Sequence, residues 1–296
     1  MGTTAKSRSL WLIAAAYVAA IAVAGLWLLR GPSTGRLWLD SLAADLLATV
    51  VVFGFSRTYR NSSVYDAYWS VIPPLLAGYW WARGGLGLEQ LRCWLVTVLV
   101  VVWSVRLTGN WVYGFGGLHH EDWRYALLRE RAGRWEFVVD LVAIHLVPTV
   151  QVFLGMLPVY VCLTNPGRGV SWLAGLAFVV GVAAVAIETV ADVQLHRFTR
   201  TRRPGQVLDR GLWGWSRHPN YFGEFGFWFA LALFGVAAAP SQAWWLFSGA
   251  LAMLAMFLRA SIPMMEQRSL QRRPGYDSVV ERVPRFVPRP PRRTAA

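Results

Sequence analysis

The sequence predicts an all-α polytopic membrane protein: a transmembrane helix bundle of about seven to eight spans, with both termini cytoplasmic. Three observations predict it. Hydrophobic residues make up 55% of the 296 positions and charged residues only 15%, against roughly 25% in an ordinary soluble domain. A water-soluble fold of this size needs a charged shell that this chain cannot supply. Apolar runs of about 20 residues recur along its length, each long enough to cross a hydrocarbon core of about 30 Å. The basic residues cluster between alternate runs, as the positive-inside bias requires.

The runs fall at about 10–29, 38–55, 67–82, 93–113, 137–163, 171–191, 219–239 and 243–262. The first is too long for a signal peptide and has no small-residue cleavage site after it, so it reads as a retained span. The second follows a short loop. The third is the shortest and carries Pro73 and Pro74. Each proline removes a helix hydrogen bond, so a kinked or re-entrant segment is expected. The fourth to eighth are apolar over a full membrane thickness. Beyond them, the stretch from Arg282 to Arg293 alternates Pro and Arg. That composition is expected to lie extended near anionic headgroups, or to be a disordered end.

The net charge is +13, from 28 Arg and the single Lys6. With eight spans, the N-terminus, loops 56–66, 114–136 and 192–218 and the C-terminal stretch share one side. Together they hold 22 of the 29 basic residues. The opposite loops hold Arg30, Arg36, Arg83, Arg92 and Arg168, and Arg106 and Arg259 fall within spans. This asymmetry orients the termini toward the cytoplasm. The basic balance therefore reads as topology, and the expected partner is the lipid bilayer and not nucleic acid. Heavy use of Ala, Val, Arg and Gly with almost no Lys points to a bacterial plasma membrane. Cys93 and Cys162 lie in apolar runs and read as small core residues, outside any disulfide framework or zinc-ligand spacing.

Ionisable groups inside spans are functional candidates by default. Glu188 and Asp192 lie four apart at the end of the sixth run, and His196 is four further on. Asn220 and Glu224 are four apart at the start of the seventh, and Arg106 and Asn110 make a similar pair in the fourth. Each pair shares one helix face near the cytoplasmic boundary. They could line one polar cavity open to the cytoplasm, or pair with each other to hold the bundle; spacing weighs the two evenly. His119 and His120 followed by Glu121 and Asp122 read as a polar loop and not a metal site, because adjacent histidines on a helix point apart. His145 reads as a hydrogen-bonded core residue, and no metal is expected.

The loop from His196 to Glu224 is the densest polar segment. Its six arginines, among them Arg202, Arg203 and Arg217, offer planar forked donors suited to phosphate. Gly205, Gly211 and Gly214 permit tight turns. Pro219 suits the first turn of a helix, whose free N–H groups favour an anion. The loop is thus built to hold a phosphorylated cofactor over a membrane cavity. No glycine-rich dinucleotide fingerprint or P-loop is present, so any nucleotide must be held by side chains and helix ends. With Lys6 as the single lysine, Schiff-base chemistry is not expected.

Arg203-Pro-Gly-Gln206, Gly211-Leu-Trp and Ser216-Arg-His-Pro-Asn-Tyr-Phe-Gly-Glu224 together resemble the DUF1295 family of membrane proteins, which belongs with the steroid 5-alpha-reductase and sterol-reductase superfamily. Asn61 with Asp66 and Trp69, Arg106-Leu, Glu121-Asp-Trp-Arg-Tyr125, Glu188 with Asp192 and Gln194, and Glu266 with Tyr276 fit the same pattern. The resemblance covers about residues 61–288, leaving 1–60 as N-terminal transmembrane helices and 289–296 as a basic Pro/Arg tail. The Arg-His-Pro-x-Tyr piece also occurs in integral-membrane isoprenylcysteine methyltransferases.

The resemblance implies an NADPH-dependent reductase of a lipid-soluble enone, with the cofactor site facing the cytoplasm. Asn220, Glu224, Asp192 and Arg202 are implied to contact NADPH, and Arg106 matches a basic residue of that site. Arg203, Arg217, His218, Glu188 and Tyr276 complete the expected cofactor site. The steroid enzymes polarise the ketone with an N-terminal Glu motif and a Tyr near the mid-chain Arg. Here no equivalent Glu motif is found, and Trp103 stands near the place of the Tyr. The reaction expected is hydride transfer to the β-carbon of a conjugated C=C–C=O, with a donor at the carbonyl oxygen and a proton delivered to the α-carbon. Tyr221, Tyr113, Tyr65 and a protonated Glu224 are the candidate donors, with Tyr221 and Glu224 taken as catalytic. Two other readings stand beside this one: an S-adenosylmethionine-dependent methyltransferase of a lipid or prenyl acceptor, and a non-catalytic lipid-binding protein.

Overall fold

The computed structural model describes residues 2–166 and 169–290, with the side chains of 2–4 left aside. Arg168 and the tail from residue 291 fall outside that range. The chain forms two compact units, Met1–Pro166 and Gly167–Ala296. Among the described residues both are helical, with no strand. Seven helical stretches of those residues are long and apolar enough to span a membrane: Ala5–Arg30, Leu37–Tyr59, Leu91–Gly114, Trp123–Thr164, Trp172–Thr201, Pro219–Ala238 and Pro240–Arg272. The chain is therefore an integral membrane protein in contact with lipid. Its exposed large side chains, such as Trp11, Val105 and Val179, are apolar because their surroundings are.

The first unit contains α1 (Gly2–Arg30), α2 (Leu37–Tyr59), α3 (Tyr68–Gly84), α4 (Leu91–Gly114), α5 (Trp123–Ala132), α6 (Glu136–Val139) and α7 (Val147–Thr164). A wide π-turn over Asp140–Leu146 joins α6 to α7. Helix α7 packs against α2, α3 and α4, and Trp80, Trp103, Phe153 and Met156 are fully buried. Cys93 and Cys162 are free and buried, as expected.

The third run forms one continuous helix despite its proline pair. α3 has 17 residues and passes through both prolines. Pro74 cannot donate to the Ser70 carbonyl four residues back. The Ser104 hydroxyl of α4 donates to that carbonyl instead, at 2.6 Å. A neighbouring side chain thus restores the bond that the ring removes. At about 25 Å, α3 stands at the short end of the spanning range, below the seven longer stretches.

The second unit contains α8 (Trp172–Thr201), α9 (Pro219–Ala238), α10 (Ala243–Leu246), α11 (Ser248–Met256), α12 (Ile262–Arg272) and α13 (Tyr276–Arg282). A second π-turn, Phe257–Ser261, links α11 to α12. α8 runs ten residues past the expected end at 191, so Asp192 and His196 are helical. Charge alone does not stop a helix; it ends just before Pro204, whose ring disfavours helix in the preceding residue. The eighth run likewise continues to Arg272 as an amphipathic extension.

α8 and α9 pack along most of their length. Gly223 sets their spacing. A Cβ there would lie 2.8 Å from the Ala184 carbonyl oxygen and 2.9 Å from the Glu188 Cβ. Gly226 repeats the contact one turn on, where a Cβ would lie 3.0 Å from that of Ala184.

Residues 283–290 are extended, as expected, and are docked on the protein, so the alternative of a disordered end does not hold for them. They run extended back across the start of α9. Arg217 N–H donates to the Pro284 carbonyl at 2.9 Å and Arg289 N–H to the Trp215 carbonyl at 2.9 Å. The Ser216 hydroxyl donates to the Phe286 carbonyl at 2.8 Å. The Phe286 ring packs on Phe222 and Phe225. The Val-Pro-Arg-Phe stretch carries a half-buried ring seated on α9, so the strap docks instead of floating.

Candidate functional site

The site lies where α8 and α9 face each other in the second unit. α8 presents Glu188 and Asp192 one turn apart, and α9 presents Asn220 and Glu224 one turn apart. Glu188, Asp192 and Glu224 are buried, and Asn220 is half-buried. Asn220 Nδ2 donates to Asp192 Oδ1 at 3.3 Å, so the two helices' polar pairs do meet. Glu224 Oε1 accepts the Trp228 indole N–H at 2.8 Å. The close approach at Gly223 places the Glu188 backbone directly against α9.

Loop 202–218 folds onto both α8 and α13. The Gln194 side chain accepts the Leu212 N–H at 3.0 Å, and the Trp213 indole donates to the Ala191 carbonyl at 2.9 Å. Gly211 sits at φ +60°, where a Cβ would meet the Gln194 amide at 2.6 Å, so this turn demands glycine. Val207 packs on the cluster of Tyr276, Val279 and Val283. Arg282 bridges to Asp209 at 3.2 Å.

Arg217 and His218, expected at the cofactor, are turned inward. Arg217 Nε donates to Glu266 Oε1 at 2.6 Å. Its NH1 group donates to the carbonyls of Val280 and Val283 at 2.8 and 2.7 Å. His218 Nε2 lies 3.3 Å from the same Glu266 oxygen, and Arg285 lies 3.4 Å from the other. Glu266 is thus a hub that ties the start of α9 to α12 and to the strap. Burial lowers the pKa of His218, against the opposing pull of Glu266.

The His218 ring stacks on Tyr221 (centroids 5.7 Å, 12° between planes) and Tyr221 on Phe257 (4.7 Å, 9°). The stack fixes the Tyr221 ring. Tyr276 is buried in the α13 cluster, and burial raises its phenol pKa. Arg202 and Arg203 stand exposed at the end of α8. Arg106 belongs to the first unit, on α4.

Several residues quoted for the family pattern serve as staples in the first unit. Asn61 Nδ2 donates to the carbonyls of Leu118 and His120. The Tyr125 hydroxyl donates to Asp66, whose carboxyl is pushed up to about 6 by burial. Glu121 accepts the Ser62 N–H at 2.7 Å and pairs with Arg129. Asp122 caps α5 through the Arg124 N–H at 2.8 Å. The acidic half of the His119–Asp122 segment therefore holds a loop. His145 is a core residue as expected: Nδ1–H faces the Asp140 carbonyl at 2.7 Å and Nε2 the Ser56 hydroxyl at 3.0 Å. Tyr65 shares a 2.8 Å bond with the Thr149 hydroxyl. Tyr113 is exposed.

Three features escaped sequence reasoning. Asp45 is buried within α2 and accepts the Tyr68 hydroxyl at 3.1 Å; an acid inside an apolar run was the available signal. The Glu266 hub joins partners 48 and 49 positions away, which no local pattern encodes. Arg273, half-buried on the turn before α13, looked like one more basic residue of the C-terminal stretch.

The DUF1295 family, described as a protein of unknown function, matches residues 52–283. An uncharacterised protein of Schizosaccharomyces pombe is 27% identical over 263 residues, covering 81% of this chain and 76% of its own. No solved structure matches the chain.

Proposed function

The chain belongs to the DUF1295 family, and on that premise we propose that it is an NADPH-dependent membrane reductase. Its substrate is a steroid-like or other lipid carrying a C=C bond conjugated to a carbonyl. The observation that carries this reading is the Asn220–Asp192 bond across α8 and α9, beside two further buried carboxylates and under a folded arginine-rich loop. A purely structural helix pair gains little from burying three carboxylates. A dinucleotide gives them work.

The groups present fit NADPH. Asp192 and Asn220 supply an acceptor and a donor suited to ribose hydroxyls or a carboxamide. Arg202 and Arg203 have no acidic partner among the described residues and match phosphate. When bound, NADPH supplies the hydride. Tyr221, its ring fixed by His218 and Phe257, is the proton donor in this reading. Glu224, held by Trp228, orients the groups around it. The distribution of arginines supports a cytoplasmic position for the loop and for both termini, and the composition supports a bacterial plasma membrane.

Methyl transfer shares the Arg-His-Pro-x-Tyr piece and the Glu of α12. Those residues form the internal clamp described above, so they do not separate the two chemistries; the arginines before Pro204 do. Thermal unfolding of the purified protein in detergent tests the choice. NADPH at 100 times its dissociation constant stabilises the fold by about 2.7 kcal/mol, and S-adenosylmethionine leaves it unchanged. A shift with S-adenosylmethionine alone would replace reduction by methyl transfer. No shift with either, with unchanged cellular lipids in Glu224→Gln, would leave a non-catalytic lipid-binding protein.

A further inference from the structure

Loop 202–210 is held on α13 at two points, by Val207 in the Tyr276–Val279–Val283 cluster and by the Asp209–Arg282 bridge. Arg203 N–H closes a tight turn on Gln206 Oε1 at 2.9 Å, with Gly205 at φ +81°. The front of the loop is thereby brought to the turn Arg273-Pro-Gly-Tyr276, where Gly275 takes φ +85°. Arg202 ends α8 and Arg273 ends α12, each tied to its helix through its own backbone N–H, at 2.8 and 2.9 Å.

Arg273 is half-buried. Burial depresses its pKa, and the like charge of Arg202 beside it adds to the effect. Among the described residues no carboxylate forms an ion pair with Arg202, Arg203 or Arg273. Elsewhere in this unit the buried guanidinium of Arg217 and the half-buried one of Arg282 have acidic partners. The two separate docking contacts bring the Arg202 end of the loop to the Arg273 turn, and no acid offsets the like charges gathered there. That arrangement suits an anion able to take forked donors from both sides. A phosphate monoester, carrying close to two negative charges at neutral pH, matches the pair better than a singly charged diester.

We propose that Arg202 and Arg273 form a clamp for a phosphate monoester, and that its ligand is the 2′-phosphate that distinguishes NADPH from NADH. The identity of the ligand rests on the nucleotide reading above; the clamp itself rests on the loop geometry.

The test is binding of NADPH and NADH to the full chain in detergent, measured for wild type, Arg273→Gln and Arg273→Lys. Wild type is expected to prefer NADPH by about tenfold or more, the size of one charge-assisted hydrogen bond. Arg273→Gln brings the ratio to within about threefold by weakening NADPH alone, and Arg273→Lys, which keeps the charge, retains part of the preference. Equal affinities in wild type, or equal weakening of both nucleotides by Arg273→Gln, would overturn the clamp and leave the nucleotide reading standing. If neither nucleotide binds, the nucleotide reading fails, and mixed micelles decide the clamp. Stabilisation by phosphatidic acid over phosphatidylcholine that is lost in Arg273→Gln supports it with a lipid headgroup as ligand. The absence of any such difference overturns it. The unliganded melting temperature of each variant reports whether it has folded.

Discussion

Glu266 Oε1 accepts the Arg217 Nε–H at 2.6 Å, and both side chains are largely withdrawn from solvent. The most recognisable tripeptide of the chain, Arg217-His-Pro219, is therefore a fastening between α9, α12 and the strap. Removing one partner of such a buried pair leaves an uncompensated charge, at a cost of about 3–5 kcal/mol. Arg217→Ala is expected to lower the melting temperature far more than Arg285→Ala, whose guanidinium is exposed. Arg217→Lys, with no fork to reach the Val280 and Val283 carbonyls, recovers little of the loss. Equal effects of the two alanine variants would refute this account.

The α8–α9 spacing makes Gly223→Ala destabilising, because the new methyl meets backbone on the opposite helix. Overpacking of this kind typically costs about 1–3 kcal/mol. Gly175→Ala on α8, where a Cβ meets nothing, is the matched control and is expected to be neutral or slightly stabilising. The comparison is read from melting temperatures in detergent.

The strap predicts an unequal response to shortening. A chain ending after Arg282 loses the Pro284, Phe286 and Arg289 contacts and is expected to unfold at lower temperature and to bind NADPH weakly. A chain ending after Pro290 keeps them all and behaves as wild type. Tryptophan fluorescence of Trp215, whose carbonyl receives Arg289, reports the loss.

His218 imposes a pH dependence of known sign. Its folded pKa lies below the usual 6.5 because of burial, with Glu266 opposing and Arg217 and Arg285 reinforcing. Below about 6.5 the unfolded chain therefore binds the proton first, and stability falls as the pH drops toward the folded pKa. Asp66 acts the other way. Its pKa is raised from 3.8 to about 6, so the stability it adds is complete below 3.8 and lost as the pH rises through about 6. The difference between wild type and His218→Gln isolates the histidine: the wild-type melting temperature should fall more steeply between pH 7 and 5, by an amount on the order of 1 kcal/mol per pKa unit.

Asn220→Ala removes the donor to Asp192 at a half-buried position. It is expected to weaken NADPH binding about tenfold while changing the melting temperature little. A large stability loss with unaltered NADPH affinity would make the pair structural.

The helical fold was legible because each span is written locally, in about 20 consecutive apolar residues. The ends of α8 and α12 were not, since hydropathy marks where lipid stops and says nothing of where a helix stops. How the helix continues through Pro73 and Pro74 was hidden, because the compensating hydroxyl of Ser104 lies 30 positions beyond Pro74. In the candidate site, Glu188, Asp192, Asn220 and Glu224 were legible as i,i+4 pairs, and their meeting across two helices followed from both pairs lying near one boundary. The inward turn of Arg217 was hidden. An arginine in a loop looks like a ligand for phosphate until its carboxylate partner, about 50 positions later, is brought beside it. Asp45 could have been found from its neighbours alone, because an acid within a lipid-facing run is rare enough to stand out.

The docked strap has a consequence for how the protein is made. Ribosomes deliver α9 to the membrane before residues 283–290 exist, so the nascent second unit holds a guanidinium whose carbonyl acceptors have not yet been synthesised. Until they emerge, the start of α9 lacks the carbonyl partners that the finished fold gives Ser216 and Arg217.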